Sequence, residues 1–142
     1  RIAYHSELKL FESSELFSEI YRASKVYREQ RFNLRFKASD FTADPVLKQQ
    51  LDSTNESLLV QGVIDIFFEN ADGKLILCDY KTDRIPKEML KDDCADEKIR
   101  ELMSERHGKQ LEYYKAAIKE MCGKYPDLTL VYCTQTGKTY EI

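Results

Sequence analysis

No apolar run in these 142 residues approaches the roughly 20 needed to cross a bilayer, and no charged, apolar, small-residue leader pattern is visible. A membrane-spanning reading is set aside and a cytoplasmic one expected. The four cysteines, at 78, 94, 122 and 133, include no CxxC pair and have no histidine at zinc spacing. That pattern supports neither a zinc site nor an iron–sulfur cluster and leaves scattered reduced thiols. Net positive charge is lacking as well: 22 Lys+Arg against 25 Asp+Glu give a formal −3. Avid, sequence-independent nucleic-acid binding by the whole surface is thereby disfavoured. With 42% apolar and 33% charged residues, one compact domain with a modest core is expected.

The most informative stretch is Gln61–Phe68, a short Asn70-Ala71-Asp72-Gly73 turn, and Leu75–Thr82. It places two acids and a lysine inside strands that otherwise read as buried. A desolvated, unpaired carboxylate is expensive, so such residues need a partner or a metal. A type I turn closed by a left-handed glycine gives a three-residue loop, Ala71-Asp72-Gly73, and pairs Asn70 with Lys74. Continuing that register brings Asp65 opposite Asp79. Directly opposed side chains share a face with Cβ atoms roughly 4.5–5.5 Å apart, and Lys81, two residues beyond Asp79, joins them. Two carboxylates and an ammonium converge on one patch. Like charges so close repel unless a cation lies between them, and oxygen ligands of this kind suit Mg²⁺ or Mn²⁺.

Around this hairpin the pattern predicts a helix over about 14–28, with Ser13 or Ser14 as N-cap and Leu16, Phe17, Ile20, Tyr21 and Tyr27 as its apolar stripe. Residues 31–37 alternate Phe32, Leu34 and Phe36 against Arg31, Asn33, Arg35 and Lys37, a half-buried strand. Residues 38–57 read as a polar connection with room for a short helical turn. Helices are expected over 97–103 and about 109–121, the second stopped by Gly123 and Pro126, with Leu111, Tyr114, Ala117, Ile118 and Met121 on one face. Strands at 128–134 and 139–142 close the chain. Arg22, Lys25, Arg28, Arg31, Arg35 and Lys37 crowd a stretch whose only acid is Glu29, while Asp92, Asp93, Asp96 and Glu97 make a later acidic run. Arg22, Lys25 and Arg28 recur at i+3 and would form one helical stripe, either a solvated face or a contact that tracks a nucleic-acid strand.

An Asp-x-Lys alone recurs by chance in roughly one chain in three of this length. An Asp on one strand followed by Asp-x-Lys in register on the next resembles the PD-(D/E)xK nuclease superfamily. The longer wording is narrower: Gly62-Val63-Ile64-Asp65, then Asp79-Tyr80-Lys81-Thr82-Asp83, then Gln110-Leu111-Glu112-Tyr113-Tyr114. It is similar to the C-terminal nuclease domain of the bacterial AddA helicase-nucleases, relatives of the RecB nuclease domain, from about Phe11 to the last strand.

The resemblance implies an α/β, restriction-endonuclease-like domain: a central mixed sheet flanked by helices, spanning 1–142 as one C-terminal piece of a larger helicase-nuclease. It implies that Asp65, Asp79 and the Tyr80 backbone carbonyl hold Mg²⁺, with Mn²⁺ as substitute. Lys81 would orient water or contact the scissile phosphate, and Gln110 and Tyr114 would border the site. The implied activity is exodeoxyribonuclease cleavage during double-strand-break processing and recombinational repair. The implied partners are single-stranded or unwound DNA ends, helicase domains of the same full-length chain, and an AddB-like subunit. Position alone would make Tyr114 a packing residue of an apolar helix stripe; the resemblance moves it and Gln110 to the site. Glu29 resembles a Glu-x-x-Phe of the same family and stays outside the catalytic set. A histidine ligand expected on an upstream helix has no match here, since Tyr4-His5-Ser6 lies too close to the start, and the opening Arg1 points to a segment of a longer polypeptide. A catalytically silent DNA-end-binding module and a purely structural interaction domain are the alternatives.

Overall fold

The computed structural model describes residues 2–41 and 43–142. Helices α1 (Ile2–Glu12) and α2 (Glu15–Tyr21) precede strand β1 (Lys25–Lys37). A 3₁₀ turn (Ala38–Phe41) and α3 (Pro45–Thr54) lead to β2 (Ser57–Glu69) and β3 (Leu75–Lys81). Then come α4 (Lys87–Leu90), α5 (Ala95–Cys122), β4 (Leu128–Cys133) and β5 (Lys138–Glu141). The strands form one mixed sheet in the order β1-β2-β3-β4-β5. Pairing is antiparallel for β2–β3 and β4–β5 and parallel for β3–β4, whose connection carries α4 and α5. A parallel pair needs such a crossover, since a tight turn can join only antiparallel neighbours. The expected α/β architecture, a mixed sheet flanked by helices, is what forms.

The chain divides into two compact units, Arg1–Gln30 with Ile64–Ile142, and Arg31–Val63. In the first, alternation along the strands sorts the residues onto two faces. One face holds Ile66, Phe68, Ile76, Cys78 and Tyr132, packed with Leu16 and Ile20 of α2 and with Phe11 of α1. The other carries Phe67, Leu75, Leu77, Asp79 and Val131, all buried. Here α5 supplies Ile99, Met103, Leu111, Tyr114, Ala117 and Ile118, buried at the 3.6-residue period.

Four expectations are corrected. The helix predicted over 14–28 starts on its Ser14 cap, whose Oγ accepts the Phe17 N–H at 3.2 Å, but ends at Tyr21. Ser24 already donates to the Glu69 carbonyl at 3.0 Å, and the chain turns extended at Lys25. Arg22, Lys25 and Arg28 therefore share no helical stripe: Arg22 caps α2, and the other two lie in β1. The two helices expected at 97–103 and 109–121 are one 28-residue helix, α5. Gly108 costs such a helix about 1 kcal/mol relative to alanine, which burial of Met103 and Leu111 on either side outweighs. Met121, assigned to the apolar stripe, is 43% exposed. The predicted stop holds, because Gly123 takes φ 79° and its N–H reaches the Lys119 carbonyl at 2.9 Å.

In the second unit, Phe32, Leu34 and Phe36 turn inward while Arg31, Asn33, Arg35 and Lys37 stay exposed, as the alternation predicts. The polar connection over 38–57 holds more than a short turn. Asp44 Oδ1 accepts the Val46 N–H at 2.9 Å and Pro45 occupies the first position, a starting signal that nucleates the ten residues of α3.

Candidate functional site

The β2–β3 turn forms as its residues dictate. Gly73 takes φ 79°, Asn70 N–H donates to the Lys74 carbonyl at 2.9 Å, and Asn70 Oδ1 accepts the Asp72 and Lys74 N–H groups. The register then runs from Glu69↔Leu75 to Ile66↔Cys78. One step further would set Asp65 beside Asp79, and there the side chain takes over from the backbone. Continuing the ladder would send the Tyr80 N–H to the Ile64 carbonyl; instead it donates to Asp65 Oδ2 at 2.9 Å. Asp65 is thereby fixed by the backbone of the residue between Asp79 and Lys81.

Asp79 is 2% exposed. Its Oδ2 lies 2.8 Å from Lys81 Nζ, yet outside hydrogen-bond alignment, so this buried oxygen has no aligned donor. Burial first, and the hydrogen-bonded Asp65 carboxyl second, push the Asp79 carboxyl up to about 7, despite the Lys81 ammonium pulling it down. Lys81 Nζ donates to Gln110 Oε1 at 2.9 Å, which ties the strand to α5. Tyr114, one turn on and 6% exposed, has its hydroxyl pushed up to about 12 by burial and by the Asp79 and Asp65 charges. The Cys78 thiol is pushed far up by burial and by the same two carboxylates. Asp65, Asp79, Lys81, Gln110 and Tyr114 are brought together; Glu29 lies in β1 with φ 47°, a left-handed conformation few non-glycine residues adopt.

A second cluster escaped the sequence reading. Asp83 Oδ2 accepts from Arg106 at 2.9 Å, and its Oδ1 lies 3.0 Å from His107 Nε2. Burial pushes the Asp83 carboxyl up, but the Arg106 and His107 hydrogen bonds outweigh it and hold the group below its ordinary value. The cluster anchors α5 to the segment after β3, one turn before Gln110. A legible signal existed: His107 falls on the period that links Met103 to Leu111.

The donor set at Asp65 and Asp79 is all oxygen. Among the described residues, no group of three or more His, Cys, Asp or Glu side chains could hold a metal ion. Asp65 and Asp79 are the two carboxylates brought together there. No helix among the described residues is long and apolar enough to cross a membrane.

No family model matches the chain. It is 33% identical over 135 residues to an ATP-dependent helicase/nuclease subunit of Clostridium acetobutylicum, covering 95% of this chain and 10% of that protein. Against the protein of the same name from Alkaliphilus metalliredigens it is 36% identical over 119 residues, 84% of this chain and 9% of that one. For the Bacillus velezensis protein, again of that name, the figures are 32% over 115 residues, 81% and 8%. The chain thus spans about a tenth of the length of the curated relatives it matches, and corresponds to a segment of the AddA-type ATP-dependent helicase/nuclease proteins.

Proposed function

We propose that this segment is the metal-dependent phosphodiester-cleaving part of a helicase-nuclease, with a restriction-endonuclease-like fold of the PD-(D/E)xK type. The observation that carries the reading is Asp79 Oδ2: buried, without an aligned donor, beside a second carboxylate, with its carboxyl pushed up to about 7. A hard divalent cation fits that deficit, and Mg²⁺ or Mn²⁺ accepts an all-oxygen set completed by water. Asp65, Asp79 and the Tyr80 carbonyl would hold it. When bound, the cation offsets negative charge building on the phosphoryl group and acidifies water.

The remaining chemistry belongs to the side chains. Lys81 carries three N–H donors, one engaged by Gln110. It orients the attacking water or binds a non-bridging phosphate oxygen. Gln110 holds that ammonium in place, and Tyr114, protonated at neutral pH, presents a donor rather than a further negative charge. Asp65 is pinned by the Tyr80 N–H through one carboxylate oxygen.

On this reading the substrate is single-stranded DNA or an unwound end, delivered by helicase domains of the same full-length chain acting with an AddB-like subunit. The setting is double-strand-break processing and recombinational repair in the bacterial cytoplasm. Cleavage of a single-stranded oligonucleotide should require Mg²⁺ or Mn²⁺, while Ca²⁺ binds without turnover. Cleavage that persists in excess EDTA would rule out the metal mechanism. A second reading, a silent DNA-end-binding module, is favoured by the absence of a third acidic or histidine ligand among the described residues. Calorimetry separates the two, since a silent module shows DNA affinity without Mn²⁺ binding.

A further inference from the structure

The outer part of the β1–β2 ribbon presents a row of basic side chains that the candidate site does not use. Along β1, Arg31, Asn33, Arg35 and Lys37 alternate outward while Phe32, Leu34 and Phe36 turn in. On the paired strand Ser57, Leu59, Gln61 and Val63 are exposed, and Arg35 donates to Ser57 Oγ at 3.3 Å. None of these eight residues is acidic, in a chain whose formal charge is −3. Beside them Arg31, Phe32, Asn33, Gln61, Gly62 and Val63 line an open groove of about 520 Å³. A glycine is needed there: a Cβ on Gly62 would lie 2.8 Å from the Phe32 ring.

We propose that this row binds the phosphodiester backbone of single-stranded DNA, a proposal that rests on the nuclease reading and names where its substrate lies on the second unit. The spacing supports it. Same-face residues on a strand repeat every two residues, about 6.6–6.8 Å, comparable to the phosphate repeat of an extended single strand. Arg31, Arg35 and Lys37 supply the cations; Asn33 and Gln61 supply neutral donors between them. An arginine fork can bind a phosphate through two N–H groups at once. Charge complementarity of this kind carries little base preference, which suits a strand that must slide.

The experiment is binding of a fluorescent single-stranded oligonucleotide in EDTA, at a series of salt concentrations, by the wild-type chain and two variants of equal charge change. The first is Arg31→Gln/Arg35→Gln/Lys37→Gln. The second, Lys48→Gln/Lys91→Gln/Lys124→Gln, removes three exposed lysines elsewhere. Each single-strand phosphate contact contributes about 0.7 to the slope of log K against log salt. The first variant should lose about 2 from that slope, and the second nothing measurable. A duplex of the same sequence should lose less than the single strand with the first variant. Equal slopes for wild type and first variant, or equal losses for both variants, overturn the proposal. If the wild type still cleaves in Mg²⁺ while the first variant keeps the full slope, the row is wrong and the nuclease reading stands. If the wild type neither binds nor cleaves, both fall.

Discussion

Asp79→Asn should stabilise the metal-free fold at neutral and alkaline pH, although it removes a charge that lies 2.8 Å from a lysine. The Asp79 carboxyl is pushed from its ordinary 3.8 to about 7. At about 1.36 kcal/mol per unit, the ionised form is disfavoured in the folded state by up to about 4 kcal/mol. A folded-state value above the unfolded one means that the native protein binds the extra proton between the two. The stability is present below about pH 4 and is lost as pH rises through 7. Asparagine does not titrate, so the gap between variant and wild type should widen by about 2 kcal/mol from pH 5 to pH 7 and little thereafter. With an unfolding entropy of about 0.3 kcal/mol/K for a chain this size, that is about 7 °C in Tm. Thermal melts in EDTA across this pH range read it directly. Saturating Mn²⁺ should narrow that gap. At a hundredfold excess over Kd the wild type gains about 2.7 kcal/mol, and the variant barely moves. A variant that melts below wild type at pH 8 in EDTA, with an unchanged Mn²⁺ response, would mean that ordinary hydrogen bonds hold Asp79 and that the charge conflict does not exist.

Lys81→Ala is expected to abolish cleavage while Mn²⁺ affinity, by calorimetry, stays within a few-fold, because an ammonium is no metal ligand; joint collapse of both would make Lys81 a structural ion-pair partner. Asp83→Asn should leave the fold intact and lower cleavage by about tenfold or more, since slackening the Arg106–His107 anchor misplaces Gln110 over Lys81. Single-turnover rates in Mg²⁺ decide it, and wild-type rates would show that α5 needs no such anchor. Gly62→Ala pushes a methyl into the Phe32 ring and should cost about 1–3 kcal/mol. An unchanged Tm would mean that the ring moves aside freely.

The site register was readable because turn chemistry is local. Asn70 and Gly73 fix the loop, and the pairings from Glu69↔Leu75 to Ile66↔Cys78 follow by counting. Lys81 and Asp79 follow from alternation alone. Gln110 and Tyr114 did not: Tyr114 reads as a packing residue of an apolar helix stripe, and only the tertiary docking of α5 brings Gln110 to Lys81 and Tyr114 near the carboxylates. The continuity of α5 was hidden by the polar run Ser104–Gly108, which interrupts the apolar spacing while His107 keeps the stripe through its bond to Asp83. The first half of β1 was misread for the opposite reason. Lys25–Glu29 are all exposed, so no alternation marks them as a strand, and the i+3 spacing of Arg22, Lys25 and Arg28 mimics a helix. Local spacing decides an element where one face is buried and misleads where neither is.

The packing around Asp79 gives the site its physical meaning. Its neighbours on that sheet face are Phe67, Leu75, Leu77 and Val131, all at most 4% exposed. An apolar residue at position 79 would continue that surface, and replacing buried charges with well-packed apolar groups is often neutral or stabilising. Instead the chain sets two carboxylates together there, spends the Tyr80 N–H on one and leaves an oxygen of the other without an aligned donor. Lys81 offers one positive charge against two negative ones and divides it between Asp79 and Gln110. A stabilising ion pair would have closed that balance within the fold. This arrangement leaves it open on the side of positive charge, at oxygen atoms, beside a lysine able to meet a phosphate. Such a local deficit is the expected signature of a place where binding, rather than folding, supplies the missing partner.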